Sequence, residues 1–170
     1  MNISKTILPL LLVVVSMTAC GARSSGVKEN NETKEINKSD KTKKTNKVYT
    51  IALTKEEFLK KVVDYKSNPD EWLYIGDKPA IIDFWAEWCV YCRKLAPVLE
   101  ELAQEYDGQI YIYKVNTEEE REIAATFGIT SLPTLLFAPK EGTPQIIQGA
   151  VPKEELKKII DEVLLKKKKQ

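Results

Sequence analysis

Two cysteines three positions apart, Cys89 and Cys92, lie in the stretch Trp85-Ala86-Glu87-Trp88-Cys89-Val90-Tyr91-Cys92-Arg93-Lys94. Ahead of them, the apolar run Ala80-Ile81-Ile82-Asp83-Phe84 reads as a buried strand. After them, Cys92, Leu95, Ala96, Leu99, Leu102, Ala103 and Tyr106 recur every three or four residues, which predicts a helix with one buried stripe. The pair thus falls at a strand-to-helix junction. In the first turn of a helix the backbone N–H groups lack intrahelical partners and the helix dipole is positive, and both favour a thiolate over a thiol. Cys89 is placed to feel both, which makes it a nucleophile for thiol–disulfide exchange. Cys92, one turn further in on the buried stripe, is expected to stay protonated until needed. Sulfurs at i and i+3 lie on one side of the turn, near enough to close a small ring.

The strand that leads into this turn carries one charge. Asp83 interrupts an otherwise apolar run that is expected to be covered on both faces, where an unpaired carboxylate is costly. Burial raises the pKa of such a group, so Asp83 is suited to take a proton from Cys92 and return it.

Composition narrows the alternatives. At 170 residues, 43% hydrophobic and 30% charged, the chain has enough apolar material for one globular domain with additional segments. Lys and Arg (26) nearly balance Asp and Glu (25), so no nucleic-acid partner is expected. There is no histidine, which removes Ser-His and Cys-His catalytic pairs, haem attachment and nearly every mixed zinc site. Three cysteines are too few for a four-thiolate zinc site, and neither a metal nor a cofactor is expected.

From about Val48 to Leu165 the chain resembles the thioredoxin family, and Asp83-Phe84-Trp85-Ala86-Glu87-Trp88-Cys89 reads almost as a thioredoxin does. The Val90-Tyr91 dipeptide departs from the Gly-Pro of thioredoxin itself. The resemblance implies an α/β fold: a central mixed sheet of five strands flanked by four helices, in the order βαβαβαββα. It implies that Asp83 lies beneath Cys92 and that Lys114 approaches Asp83 and modulates its pKa. It also implies that Ile129-Thr130-Ser131-Leu132-Pro133-Thr134 is a loop with a cis Leu132–Pro133 bond facing the disulfide. A substrate peptide would pair with the backbone of Leu132 there, as an added strand. Trp88, Val90, Tyr91, Ser131, Leu132, Pro133 and Gly149 are the substrate-binding positions by the same resemblance, with Gly149 a close-approach position beside the site. The spacing from Cys92 to Pro133 matches a minimal thioredoxin and leaves no space for a helical insertion.

Residues 1–19 have the form of a signal peptide: Lys5, then the apolar Ile7-Leu8-Pro9-Leu10-Leu11-Leu12-Val13-Val14-Val15, too short to span a bilayer. Ser16-Met17-Thr18-Ala19-Cys20 resembles a bacterial lipobox, which implies lipid on the Cys20 sulfur and explains the third cysteine. Acyl chains would hold the protein on a membrane without a spanning helix. Residues 20–47 are rich in Ser, Asn, Thr, Lys and Glu and are expected to form a flexible tether with a coil span on the order of 30 Å. Residues 48–170 form the domain.

Within that domain Val48–Leu53 reads as the first strand, and Thr54 with Glu57 as a capping box opening a helix with Phe58, Leu59, Val62 and Val63 inward. Ser67–Lys78 is an insertion whose aromatics are expected to pack on the domain. Pro97 is expected to bend the redox helix without ending it. Gln109–Val115 reads as a strand, Thr117 with Glu120 as a second capping box, and Gly128 as a C-terminal cap. Gln145–Gln148 reads as the last strand. Pro152 opens a final helix with Leu156, Ile159, Ile160, Val163 and Leu164 inward.

The function these readings favour is reduction of protein disulfides outside the cytoplasm, by a monomer facing the periplasm or cell exterior. Its partners would be protein thiols and disulfides, the membrane, and a separate membrane relay supplying electrons. Two alternatives stand beside it: an isomerase or oxidase using the same pair, and a non-catalytic module that holds peptides in the same groove.

Overall fold

A computed structural model describes residues 47–167. The elements run β1 (Ile51–Ala52), α1 (Lys55–Lys61), β2 (Ala80–Trp85), α2 (Val90–Glu105), β3 (Tyr111–Asn116), α3 (Arg121–Thr126), β4 (Thr134–Ala138), β5 (Gln145–Gln148) and α4 (Lys153–Ile159). A π-helical turn, Ile160–Leu164, continues α4. The sheet order is β1-β3-β2-β4-β5: β1, β3 and β2 are parallel, β4 pairs antiparallel with β2, and β5 pairs antiparallel with β4. The expected α/β fold, five mixed strands and four helices in that order, is what forms.

Strand alternation divides the core into two layers. Ile81, Ile112, Leu135 and Phe137 pack with Leu95, Leu99 and Leu102 of α2 and Leu156 of α4. Ala80, Ile82, Phe84, Tyr113, Val115 and Leu136 pack on the other side with Phe58, Val62 and Ile123. Asp83 and Lys114 share the parity of Ile81 and Ile112, so both side chains leave the sheet toward α2. This parity is what brings the acid to the redox helix.

The first helix begins as its sequence dictates. Thr54 Oγ1 accepts from the Glu57 amide at 3.3 Å while the Glu57 carboxylate accepts from the Thr54 amide at 3.2 Å. Two otherwise unpaired donors are satisfied reciprocally. Thr54→Ala is expected to cost about 1 kcal/mol in urea unfolding at unchanged m-value.

Other boundaries differ from the sequence reading. The first strand is only two residues long, because Glu100 of α2 takes the amides of Tyr49 and Thr50, the latter at 3.1 Å, and draws that segment away from ladder pairing. Burial works to raise the Glu100 carboxyl, yet these amides hold it below the usual range. The second capping box does not form. Thr117 instead donates from Oγ1 and from its amide to the Trp85 carbonyl, at 3.2 and 2.9 Å, and α3 starts later, without a side-chain cap. Gly128 does cap α3, at φ +59°, with its amide on Ala125 O and that of Ile129 on Ala124 O. Pro97 lies inside an unbroken α2. In the 67–78 insertion Trp72 meets Phe127 edge-on at 6.2 Å and stacks on Tyr74 at 6.4 Å, while Leu73 and Ile75 remain exposed.

Candidate active site

Cys89 is the N-cap residue of α2, and its sulfur accepts the Cys92 amide at 3.1 Å. The two cysteines form a disulfide with Cα atoms 5.2 Å apart. The turn is set up by Ala86, whose carbonyl accepts the Cys89 amide, and by Arg93, which donates to the Glu87 carbonyl at 2.7 Å. An amide aimed at the Cys89 sulfur favours negative charge there, and the positive end of a sixteen-residue helix adds to it.

Both sulfur-bearing residues are buried, Cys89 at 4% and Cys92 at 3% exposure, although the neighbours Trp88, Val90 and Tyr91 are exposed. The site is a recessed disulfide ringed by apolar surface. A partner must therefore lie against that ring to reach the sulfur.

Asp83 is 1% exposed, and its Oδ1 has no hydrogen-bond partner among the described residues. Burial pushes its carboxyl up to about 7, against the opposing influence of Lys114. The two residues are partners in the β2–β3 register. The Lys114 ammonium, however, lies 4.5 Å over the Trp85 ring rather than in an ion pair with the carboxylate. It acts on Asp83 through space, as a nearby positive charge.

The peptide bond between Leu132 and Pro133 is cis. Pro133 is buried and Ser131 exposed, and the Thr134 hydroxyl donates to the Ser131 carbonyl at 2.7 Å. Gly149 joins the site through its amide, which donates to Pro133 O at 2.8 Å. Its φ of +91° is one that residues with a side chain rarely adopt, and within this chain a Cβ there would meet nothing within 4 Å. Trp88, Ser131 and Leu132 line one groove of about 400 Å³. Arg121 lines it too, and the sequence reading had missed that residue, because only the fold brings α3 beside Trp88. Cys20 lies outside the described residues. Among those residues no cluster of three or more His, Cys, Asp or Glu side chains is arranged to hold a metal.

A sheet that aims a Cys-x-x-Cys disulfide from the start of its longest helix, with a cis-proline loop sharing a groove with the adjoining tryptophan, defines a disulfide oxidoreductase of thioredoxin type. The comparisons agree: the thioredoxin family model matches residues 49–162, and the chain belongs to the thioredoxin family. It is 46% identical over 110 residues to the thioredoxin of Borreliella burgdorferi, an alignment covering 65% of this chain and 93% of that protein. It is 43% identical over 89 residues to thioredoxin 1 of a Nostoc species, covering 52% and 83%. With the M-type chloroplastic thioredoxin of Spinacia oleracea it shares 40% over 116 residues, covering 68% of this chain and 64% of that one. The chain is a thioredoxin-like thiol–disulfide oxidoreductase, and its family acts on protein thiols and disulfides.

Proposed function

We propose that this chain reduces protein disulfides outside the cytoplasm, held at a membrane by lipid on Cys20. The observation that carries the reading is the pairing of an N-cap cysteine disulfide with an unpartnered acid that leaves the neighbouring strand on the side of the same helix.

In the reduced enzyme the Cys89 thiolate attacks one sulfur of the client disulfide. A bond forms between Cys89 and that sulfur, the client S–S bond breaks, and the departing client sulfur takes a proton from solvent. Cys92 then gives its proton to the Asp83 carboxylate and attacks the Cys89 sulfur. This closes the Cys89–Cys92 disulfide and expels the second client sulfur, which is protonated in turn. The client gains the two electrons that the enzyme pair loses, together with two protons; the pair, starting as thiolate and thiol, gives up one proton and solvent supplies the other. Lys114 favours the charged form of Asp83 and so keeps a base ready. Trp88, Val90 and Tyr91, with Ser131, Leu132, Pro133 and Gly149, form the surface on which the client segment lies.

Export and lipidation are supported by the apolar run that ends at Cys20 and by the polar residues that follow it. Among the described residues no helix is long and apolar enough to cross a membrane. A reductase working outside the cytoplasm needs electrons for each new cycle, and a separate membrane relay would supply them.

Equilibration of the Cys89/Cys92 pair with glutathione tests the direction. A potential near thioredoxin's roughly −270 mV is expected, whereas a value nearer −120 mV would make the pair an oxidant. Labelling of cells with radioactive palmitate tests the anchor: the chain should carry the label and Cys20→Ser should not.

A further inference from the structure

The groove beside the disulfide is lined by apolar and small side chains, among them Trp88, Ile129, Leu132 and the two alanines of α3, Ala124 and Ala125. The short alanine side chains leave its volume of about 400 Å³ open. One cation, Arg121, shares the lining. Its guanidinium is held in place by a hydrogen bond from Nε to the Glu118 carbonyl at 3.1 Å. That bond uses one of the five guanidinium N–H groups and leaves the two terminal nitrogens free to donate.

Among the described residues Arg121 also lacks a counter-ion: no carboxylate lies within 4.0 Å of it, and the acid next to it in sequence, Glu122, is taken by Lys55 at 3.1 Å and Lys66 at 3.2 Å. A positioned guanidinium with unused donors at an apolar groove is complementary to a carboxylate borne on an otherwise apolar peptide. The planar fork meets both carboxylate oxygens at once, which a lysine in its place could not do.

We propose that Arg121 is a specificity-determining residue, selecting client segments that seat an apolar side chain in this groove and carry an Asp or Glu within a few residues of the attacked cysteine. The proposal rests on the reductase reading above and names its substrate class. Arg121 takes no part in the bond changes; it fixes which segment lies across Trp88 and Leu132 when Cys89 attacks.

The test uses the full chain, reduced with dithiothreitol and freed of it, and a series of peptide disulfides. The peptides share an apolar residue beside the cysteine and differ only in Glu, Gln or Lys two to four residues away. The native chain should prefer Glu over Gln by about three- to tenfold in kcat/KM at one or more of these positions, as expected for an accessible charge-assisted pair, and disfavour Lys. The preference should shrink as salt is raised. Within Arg121→Gln the Glu-to-Gln ratio should fall to near one, and within Arg121→Glu the order should invert in favour of Lys. A Glu preference that survives in Arg121→Gln, or equal rates for all three peptides with the native chain, overturns the proposal. Failure of the reduced native chain to act on any of the peptides would instead overturn the reductase reading beneath it.

Discussion

Replacing Cys92 with serine should convert the enzyme into a trap. Cys89 of that variant still attacks, forming a mixed disulfide, but the hydroxyl that replaces the second sulfur cannot expel the client. Multiple turnover should drop on the order of a thousandfold or more, as expected when one member of a two-step covalent mechanism is removed. Covalent adducts should accumulate that run as higher bands on non-reducing gels and vanish with dithiothreitol. Cys89→Ser should lose turnover as completely yet form no such adducts, because the N-cap sulfur that receives the Cys92 amide is the one that attacks. Adducts formed by Cys89→Ser and absent from Cys92→Ser would reverse the roles of the two cysteines. Absence from both would leave a module that holds peptides without exchanging disulfides.

The second large effect is on stability, and its sign follows from Asp83. Burial lifts this carboxyl from 3.8 to about 7 in the folded, oxidised protein. Between those two pH values the folded chain keeps a proton that the unfolded chain has lost. The unfolded state therefore binds fewer protons there, and stability falls as pH rises through this window. Above it the full cost is present, on the order of 4 kcal/mol for a displacement of about three pH units. Asp83→Asn removes the titration and keeps the shape. The variant should be of similar stability to the native chain below about pH 4 and more stable by a few kcal/mol at pH 8, read as a shift in the urea midpoint of the oxidised proteins. Parallel pH profiles for the two proteins would mean that Asp83 does not titrate in this window. The same substitution should slow resolution of the mixed disulfide by about a hundredfold, since it takes away the base that receives the Cys92 proton. A residue that weakens the fold while speeding the reaction is expected where chemistry needs a dry carboxylate.

Much of this was legible because the signals were local. The apolar run around Asp83, the three-and-four spacing after Cys92 and the Thr54–Glu57 box each specify an element within a few residues, and β2, α2 and α1 form where those patterns lie. Where the reading missed, a distant partner won. Thr117 has the right neighbours for a helix cap, but the Trp85 carbonyl at the end of β2 claims both its hydroxyl and its amide. Tyr49 and Thr50 have strand character, but a carboxylate on α2 takes their amides. The buried positions Leu156, Ile160 and Leu164 recur every four residues, and that spacing accompanies the widening of the last helix into a π turn. For the site, the redox pair and the buried acid could be read directly, since each is an anomaly in its own segment. Arg121 could not, because its significance lies in sharing a groove with Trp88, thirty-three positions earlier in the chain.

The strand carrying Asp83 is third of five, flanked by β3 and β4. Amides in the middle of such a strand exchange with deuterium only when the entire sheet comes apart, whereas edges and loops exchange by fraying. Ile82 and Phe84 should thus be among the slowest positions in the molecule, and their exchange would gauge its global opening. A carboxylate rooted at that spot is not hydrated by the fraying that opens edges and loops.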